Sequence, residues 1–155
     1  MKYVDYEIAF QEIPDEISLC INISNCPCKC IDCHSSYLAE DIGDPLTGES
    51  LKKLIDSNRG ITCVAFMGGD AEPDEIVNLS RWIKAHYNLK VAWYSGRKEI
   101  YPKIKLDCLD YIKVGPYIKE CGPLNKDTTN QVMYKVYHAS DGEHRLYDIT
   151  WKFWK

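Results

Sequence analysis

The chain has 155 residues, of which 45% are hydrophobic and 27% are charged, and its formal net charge is −4 at pH 7. This length favours a single domain, residues 1–155, and a net negative charge without long basic runs argues against nucleic-acid binding. Because the sequence has neither an apolar run long enough for a membrane span nor the apolar core of a signal peptide, we expect a cytoplasmic protein with no membrane partner.

Strand-like and helix-like segments alternate along the chain. Period-two alternation, β-branched residues and buried apolar runs predict strands over residues 6–13, 17–23, 61–67, 89–94, 111–114, 132–138 and 145–150. A helix is predicted over 50–57, a second begins at Pro73, and a short helix or turn covers 99–105.

This alternation predicts an α/β fold with a mostly parallel sheet and crossover helices. A closed eight-fold barrel usually needs about 250 residues, so the expected form is a partial, incomplete (β/α) barrel. Ligands of such sheets bind at the carboxyl ends of the strands. Four segments directly follow predicted strands and should meet on that rim: the cysteine-rich loop, residues 68–70, residues 95–96 and residues 115–116.

Four of the eight cysteines fall within one short loop: Cys26, Cys28, Cys30 and Cys33. Cys26, Cys30 and Cys33 have the spacing C-x3-C-x2-C. Three thiolates on one loop can hold three irons of a four-iron cluster and leave the fourth iron open to a small molecule. The alternative is a structural zinc site that uses all four cysteines, although such sites usually draw pairs of ligands from separate segments.

The other four cysteines are scattered. Cys20 and Cys63 lie in apolar runs, which predicts that they are buried as small hydrophobic side chains. Cys108 and Cys121 have the same interpretation, with a second metal site as the alternative.

The cysteine loop and the residues 34–38 that follow it resemble the cluster loop of the radical S-adenosylmethionine (SAM) enzymes. Within that superfamily the chain is most similar to the short branch of the activating proteins of anaerobic ribonucleoside-triphosphate reductase. Further matching segments are residues 66–70, 92–97, 110–117 and 123–131, so the resemblance extends from about residue 7 to residue 137. It implies a partial radical SAM (β/α) barrel.

The resemblance also implies an enzyme activity, that of a radical SAM oxidoreductase with a [4Fe–4S] cluster and SAM as cofactors. An electron from flavodoxin or ferredoxin would cleave SAM, and the resulting radical would abstract hydrogen from a glycine of anaerobic ribonucleoside-triphosphate reductase or another glycyl radical enzyme. Two alternatives stay open: a radical SAM enzyme acting on another peptide or a small molecule, and a non-enzymatic iron–sulfur or zinc-binding module.

Carried onto this sequence, the resemblance assigns Cys26, Cys30 and Cys33 to the cluster. The backbone of Asp32, Cys33 and His34 would approach the adenine of SAM. Cys28 would be a bystander that points away, or would replace Cys26 as a ligand.

The same resemblance assigns Gly68, Gly69 and Asp70 to the amino group of SAM, with Asp70 one methylene shorter than the glutamate usual at this position. Ser95 would bind ribose or carboxylate oxygens, or merely cap a strand end. Lys113 would contact the carboxylate of SAM or line the substrate cleft, and Arg97 could act similarly. The polar segment 128–131 has no derived role, and an aromatic tail at residues 151–154 would seal the barrel or contact a partner.

Overall fold

The computed structural model describes residues 1–31, 33 and 35–154, and their backbone forms one mixed α/β unit. Its strands are β1 (Lys2–Ala9), β2 (Ser18–Ile23), β3 (Asp44–Pro45), β4 (Cys63–Met67), β5 (Lys90–Tyr94), β6 (Tyr111–Val114), β7 (Val132–His138) and β8 (His144–Asp148). Its α-helices are α1 (Gly48–Ser57) and α2 (Pro73–His86), and short 3₁₀ helices cover Ser36–Ala39, Leu106–Cys108 and Thr150–Phe153. No helix among the described residues is long and apolar enough to cross a membrane.

All eight strands form one sheet in the order β3-β1-β2-β4-β5-β6-β7-β8. The central strands β2, β4, β5 and β6 are parallel, whereas β1, β3, β7 and β8 pair antiparallel at the two sides. The prediction of a mostly parallel sheet is therefore wrong for the sheet as a whole, in which four of the seven strand pairings are antiparallel, although the central strands are parallel as expected. The links 10–17 and 139–143 are shorter than the roughly dozen residues that a parallel crossover needs, so the strands they join can only run antiparallel.

The strands predicted at 111–114 and 132–138 are confirmed, and other boundaries shift. The first strand lies at Lys2–Ala9 rather than 6–13, because its pairing with β2 runs back to Tyr3 opposite Ile23. Helix α1 begins at Gly48 because Thr47 and Ser50 form a reciprocal capping box. Of the short helix or turn predicted over 99–105, the structure has the turn, closed by a bond from the Ile104 N–H to the Tyr101 carbonyl at 3.0 Å.

Both helices pack on the same face of the sheet. Their apolar sides pack against alternate residues of the strands and form the main core. The helices contribute Leu51, Leu54, Ile76 and Ile83, and the strands contribute Leu19, Ile21, Val64, Phe66, Val91, Trp93 and Ile112. The opposite face carries a second cluster made of Cys20, Cys63, Ala65, Ala92, Tyr111 and Met133. No α-helix covers this face in the described chain, and we call it the helix-free face. The predicted burial of Cys20 and Cys63 is confirmed, and burial raises the pKa of Cys20 to about 12.

The helix-free face is partly covered by the aromatic tail. Phe153 packs against the small-residue core of that face. Trp154 donates its indole N–H to the Leu124 carbonyl at 3.1 Å, and Lys152 pairs with Asp15 at 2.6 Å. Trp151 stays 59% exposed, so the tail crosses this face without sealing it.

Glu16 is a buried carboxylate that ties the turn before β2 to the amino ends of the parallel strands. It accepts hydrogen bonds from the Thr62 hydroxyl at 2.6 Å, the Lys90 ammonium at 2.5 Å and the Tyr111 phenol at 3.0 Å. These partners precede or begin β4, β5 and β6, so one side chain aligns three strands.

We predict that Glu16→Ala lowers the free energy of unfolding by about 1–3 kcal/mol, because it leaves the buried Tyr111 hydroxyl without its acceptor and removes the bonds to Thr62 and Lys90. Urea unfolding under anaerobic conditions measures the effect. The matched control is Glu120→Ala, at an exposed position, which should change stability by less than about 0.5 kcal/mol. Equal effects of the two substitutions would contradict the role given to Glu16.

Candidate functional site

The segments predicted to meet on one rim do so. Gly68 donates its N–H to the Tyr94 carbonyl at 3.1 Å, and Ser95 donates to the Lys113 carbonyl at 2.8 Å. The next contact along the rim runs from the Gly115 N–H to the Arg97 carbonyl at 2.6 Å. Backbone hydrogen bonds therefore link the ends of β4, β5 and β6 to one another.

Asp70 is the centre of this rim, and it is 1% exposed. Its carboxylate accepts from the Ser95 hydroxyl at 2.6 Å and from the Gly96 N–H at 2.8 Å. The Arg97 guanidinium lies 3.6 Å from the same carboxylate and donates to the Asp70 carbonyl at 2.8 Å. The thiol of Cys28 approaches the carboxylate from the cysteine loop at 3.5 Å. One side chain therefore joins the loop after β2 to the loop after β5.

Cys28 is turned inward. Its sulfur lies so close to Gly96 that a Cβ at position 96 would be 2.8 Å from it. Burial, with the nearby Asp70 carboxylate second, raises the pKa of Cys28 to about 12. The Cys28 thiol donates to the Asp70 carboxylate at 3.5 Å, so its sulfur is directed into the rim. The geometry favours the interpretation of Cys28 as a bystander over its use as a replacement for Cys26.

The other loop cysteines are free and partly exposed. The base of their loop is fixed by hydrogen bonds from the Asn25 N–H to the Glu40 carbonyl and from the Cys26 N–H to the Leu38 carbonyl, both at 2.8 Å. The tip is tightened by a bond from the Cys33 N–H to the Cys30 carbonyl at 3.2 Å. Lys29, between Cys28 and Cys30, has left-handed backbone with φ of 44°. The assignments to Asp32 and His34 lie outside the described residues.

The described residues do not form a preassembled site for a single metal ion. Within residues 1–31, 33 and 35–154, no three Cys, His, Asp or Glu side chains converge on one point. Cluster ligands need not converge, because each thiolate binds a different iron. With Cys28 committed to Asp70, three loop cysteines are left as donors, which matches a cluster with one open iron.

Gly68 and Gly69 serve the packing of the rim as well as any ligand. Both have left-handed backbone, with φ of 113° and 102°. A Cβ at Gly69 would lie 2.6 Å from the Ile76 side chain, so only glycine fits there. The Gly68 carbonyl accepts from the Trp93 indole at 2.8 Å, and the Gly69 carbonyl accepts from the Glu72 N–H at 3.0 Å. A carbonyl has two lone pairs, so each can still accept from an ammonium.

Lys113 is buried among backbone acceptors. Its ammonium donates to the carbonyls of Ser95 at 3.2 Å and Gly115 at 3.0 Å, and lies 5.6 Å from the centre of the Tyr94 ring. Burial lowers the pKa of Lys113. An ammonium has three N–H donors, and within the described chain these two carbonyls are its hydrogen-bond acceptors.

A cavity of about 1260 Å³ opens beside Lys113 and Tyr94 on the helix-free face. Its rim combines three segments: the turn after β1, residues 123–126 and the aromatic tail. Sequence reasoning singled out the segment that contains Gln131 but missed Glu12, another residue of the cavity wall. Burial, followed by the charge of Glu7, raises the pKa of Glu12. The available signal for a cavity on this face was the alternation of β5, which indicates that Tyr94 lies on the same face as Ala92.

The polar segment 128–131 closes a loop at the edge of this cavity. Thr128 and Thr129 donate to the carbonyls of Cys121 at 2.6 Å and Gly122 at 3.2 Å. The Asn130 amide donates to the Pro116 carbonyl at 2.9 Å. Its described contacts are therefore structural, and they hold the buried Gln131 in the cavity wall.

The chain matches no family model, no curated protein and no solved structure. The predicted resemblance to radical SAM enzymes therefore rests on the sequence motifs alone.

We predict that Asp70→Ala lowers the free energy of unfolding by about 3 kcal/mol, because buried donors on two loops lose their shared acceptor. Chemical denaturation of the reduced protein gives the value. Asp74→Ala is the matched control: this carboxylate is exposed in the first turn of α2 and should contribute at most about 1 kcal/mol. A loss at Asp70 as small as that at Asp74 would refute its central position.

Gly96→Ala should destabilise the protein by about 1–3 kcal/mol, since the new methyl group collides with the Cys28 sulfur. Removing that sulfur in the double variant Gly96→Ala/Cys28→Ala should recover most of the loss. Thermal unfolding of the wild type, the two single variants and the double variant closes the cycle. Additive losses in the double variant would mean that the two residues do not meet.

Proposed function

We propose that this protein is a radical SAM activase that generates a glycyl radical on anaerobic ribonucleoside-triphosphate reductase or another glycyl radical enzyme. Cys26, Cys30 and Cys33 would hold the [4Fe–4S] cluster. The observation that carries the proposal is the position of Cys28, whose thiol is bound to Asp70 and packed against Gly96. This contact leaves three of the four loop cysteines as possible ligands of the cluster, and their loop lies at the carboxyl ends of parallel strands.

The layering of the fold supports a partial radical SAM barrel. The parallel strands follow one another in chain order, β2-β4-β5-β6, and both helices lie on one face. A doubly wound sheet instead reverses its strand order and carries helices on both faces. An arc of sequential strands with helices on one side is the arrangement of a barrel segment.

The cluster and SAM, when bound, supply the reductive cleavage that starts radical chemistry. The chain itself would position SAM over the rim. The carbonyls of Gly68 and Gly69 would use their second lone pairs to accept from the amino group, and the buried ammonium of Lys113 would attract the carboxylate. Ser95 acts through Asp70, because its hydroxyl donates to that carboxylate. Flavodoxin or ferredoxin would deliver the electron.

The cavity on the helix-free face supports a protein substrate. Its volume of about 1260 Å³ exceeds the roughly 300–1,000 Å³ typical of small-ligand pockets. Exposed aromatic residues at its rim, Phe10 at 69% and Trp151 at 59%, are of the kind enriched at protein interfaces. A loop of a partner enzyme could enter from this side.

We predict that Cys30→Ala abolishes SAM cleavage, whereas Cys28→Ala, two positions away, retains it. The protein is reconstituted anaerobically with iron and sulfide and reduced with dithionite, and 5′-deoxyadenosine is quantified after SAM is added. Iron and zinc are measured on the same samples. The pair is matched in residue type and loop, so a general effect of losing a thiol would appear in both variants.

Each alternative has its own outcome. Product from wild type and Cys28→Ala, without radical formation on a glycyl radical enzyme, would favour another radical SAM substrate. No product, with about one zinc per chain bound by all four cysteines, would favour a structural module. Product that persists in Cys30→Ala would refute the assignment of the cluster.

A further inference from the structure

His138 and His144 face each other across the β7–β8 hairpin, away from the cysteine loop. The two residues are direct partners in the antiparallel register. Their Nδ1 atoms are 2.9 Å apart, and the ring planes are inclined by 80°. At this distance one ring nitrogen donates its proton to the lone pair of the other.

Asp110 supports one ring from behind. The Nε2 atom of His138 lies 3.6 Å from the Asp110 carboxylate. That carboxylate is itself fixed, because it accepts from the Lys84 ammonium at 2.5 Å and from the Val91 N–H at 2.9 Å. A carboxylate on this side favours a proton on Nε2, which leaves the Nδ1 lone pair directed at His144. Metal-binding histidines are commonly oriented by a carboxylate in this way.

We propose that His138 and His144 form a two-histidine chelate for a divalent transition-metal ion of the zinc or nickel class, which imidazole ligands suit. Two nitrogens bound at about 2.0–2.1 Å to one ion lie roughly 3 Å apart when the angle between them is near 90°. The observed separation of 2.9 Å matches this span, so the nitrogens need not move apart, but each ring must turn so that its lone pair points at the ion rather than at the other nitrogen. The ion replaces the proton between the rings, and that proton leaves to solvent.

The local charges allow such an ion. The neighbouring carboxylates of Asp141 and Glu143 lie 4.0 Å and 3.7 Å from the Arg145 guanidinium, which they offset. No third Cys, His, Asp or Glu joins the pair within the described chain, so water would complete the coordination. The ion would link the end of β7 to the start of the edge strand β8. This chelate is independent of the proposed function and of the cluster.

The test is an anaerobic Ni²⁺ titration of the reduced protein, residues 1–155, followed by the histidine ring signals in NMR spectra. We expect paramagnetic broadening of the His138 and His144 rings at Ni²⁺ concentrations about ten-fold below those that affect His86. His144→Asn should remove this first phase, and Asp110→Asn should weaken it about ten-fold. His86→Asn is the matched control, because His86 is also exposed but bonds to the Trp82 carbonyl at 2.8 Å.

Nickel bound at the cysteines is common to all these variants and does not broaden the hairpin rings selectively. His138→Asn provides a second, independent variant, and cross-strand NOEs between β7 and β8 verify that the hairpin still forms. Broadening of His138 and His144 no earlier than that of His86 would overturn the proposal. So would unchanged Ni²⁺ affinity in both histidine variants with the hairpin intact.

Discussion

The buried carboxylate of Asp70 is the interaction on which the candidate site depends. A carboxylate this deep is stable only if hydrogen bonds replace its lost hydration. Ser95, Gly96 and Arg97 supply that compensation from the loop after β5, and Cys28 adds a contact from the cysteine loop. The need to satisfy one charge therefore fixes two loops relative to each other.

The contact with Asp70 also distinguishes Cys28 from the other cysteines of the loop. The inward thiol of Cys28 and the absence of a side chain at Gly96 are two halves of one contact. The remaining loop cysteines keep partial exposure, as an external ligand requires. Asp70 joins the two loops through its own side chain.

The sequence was informative where a pattern maps onto one physical cause. Buried strands such as β4 and β6 were predictable because apolar runs bounded by glycine have few alternatives. The common rim was predictable because the carboxyl ends of parallel strands share an edge. The flanking antiparallel strands were not, since strand direction depends on link length and on register with partners far along the chain. The contact between Cys28 and Asp70 joins residues far apart in sequence, and neither residue type by itself predicts it.

The helix-free face shows the same division. Alternation could place Tyr94 and Lys113 on it, but the cavity depends on where the tail and the 123–126 loop come to rest. Those positions are set by single contacts, such as that from Trp154 to the Leu124 carbonyl and that between Lys152 and Asp15. Contacts of this kind leave no periodic signal in the sequence.

The most direct test of the central claim is ⁵⁷Fe Mössbauer spectroscopy of the anaerobically reconstituted protein with and without SAM. The account predicts a [4Fe–4S] cluster in which one iron, lacking a cysteine ligand, changes its signal when SAM binds, both in the wild type and in Cys28→Ala. A cluster whose four irons ignore SAM, or whose open iron appears only after Cys28 is removed, would contradict it.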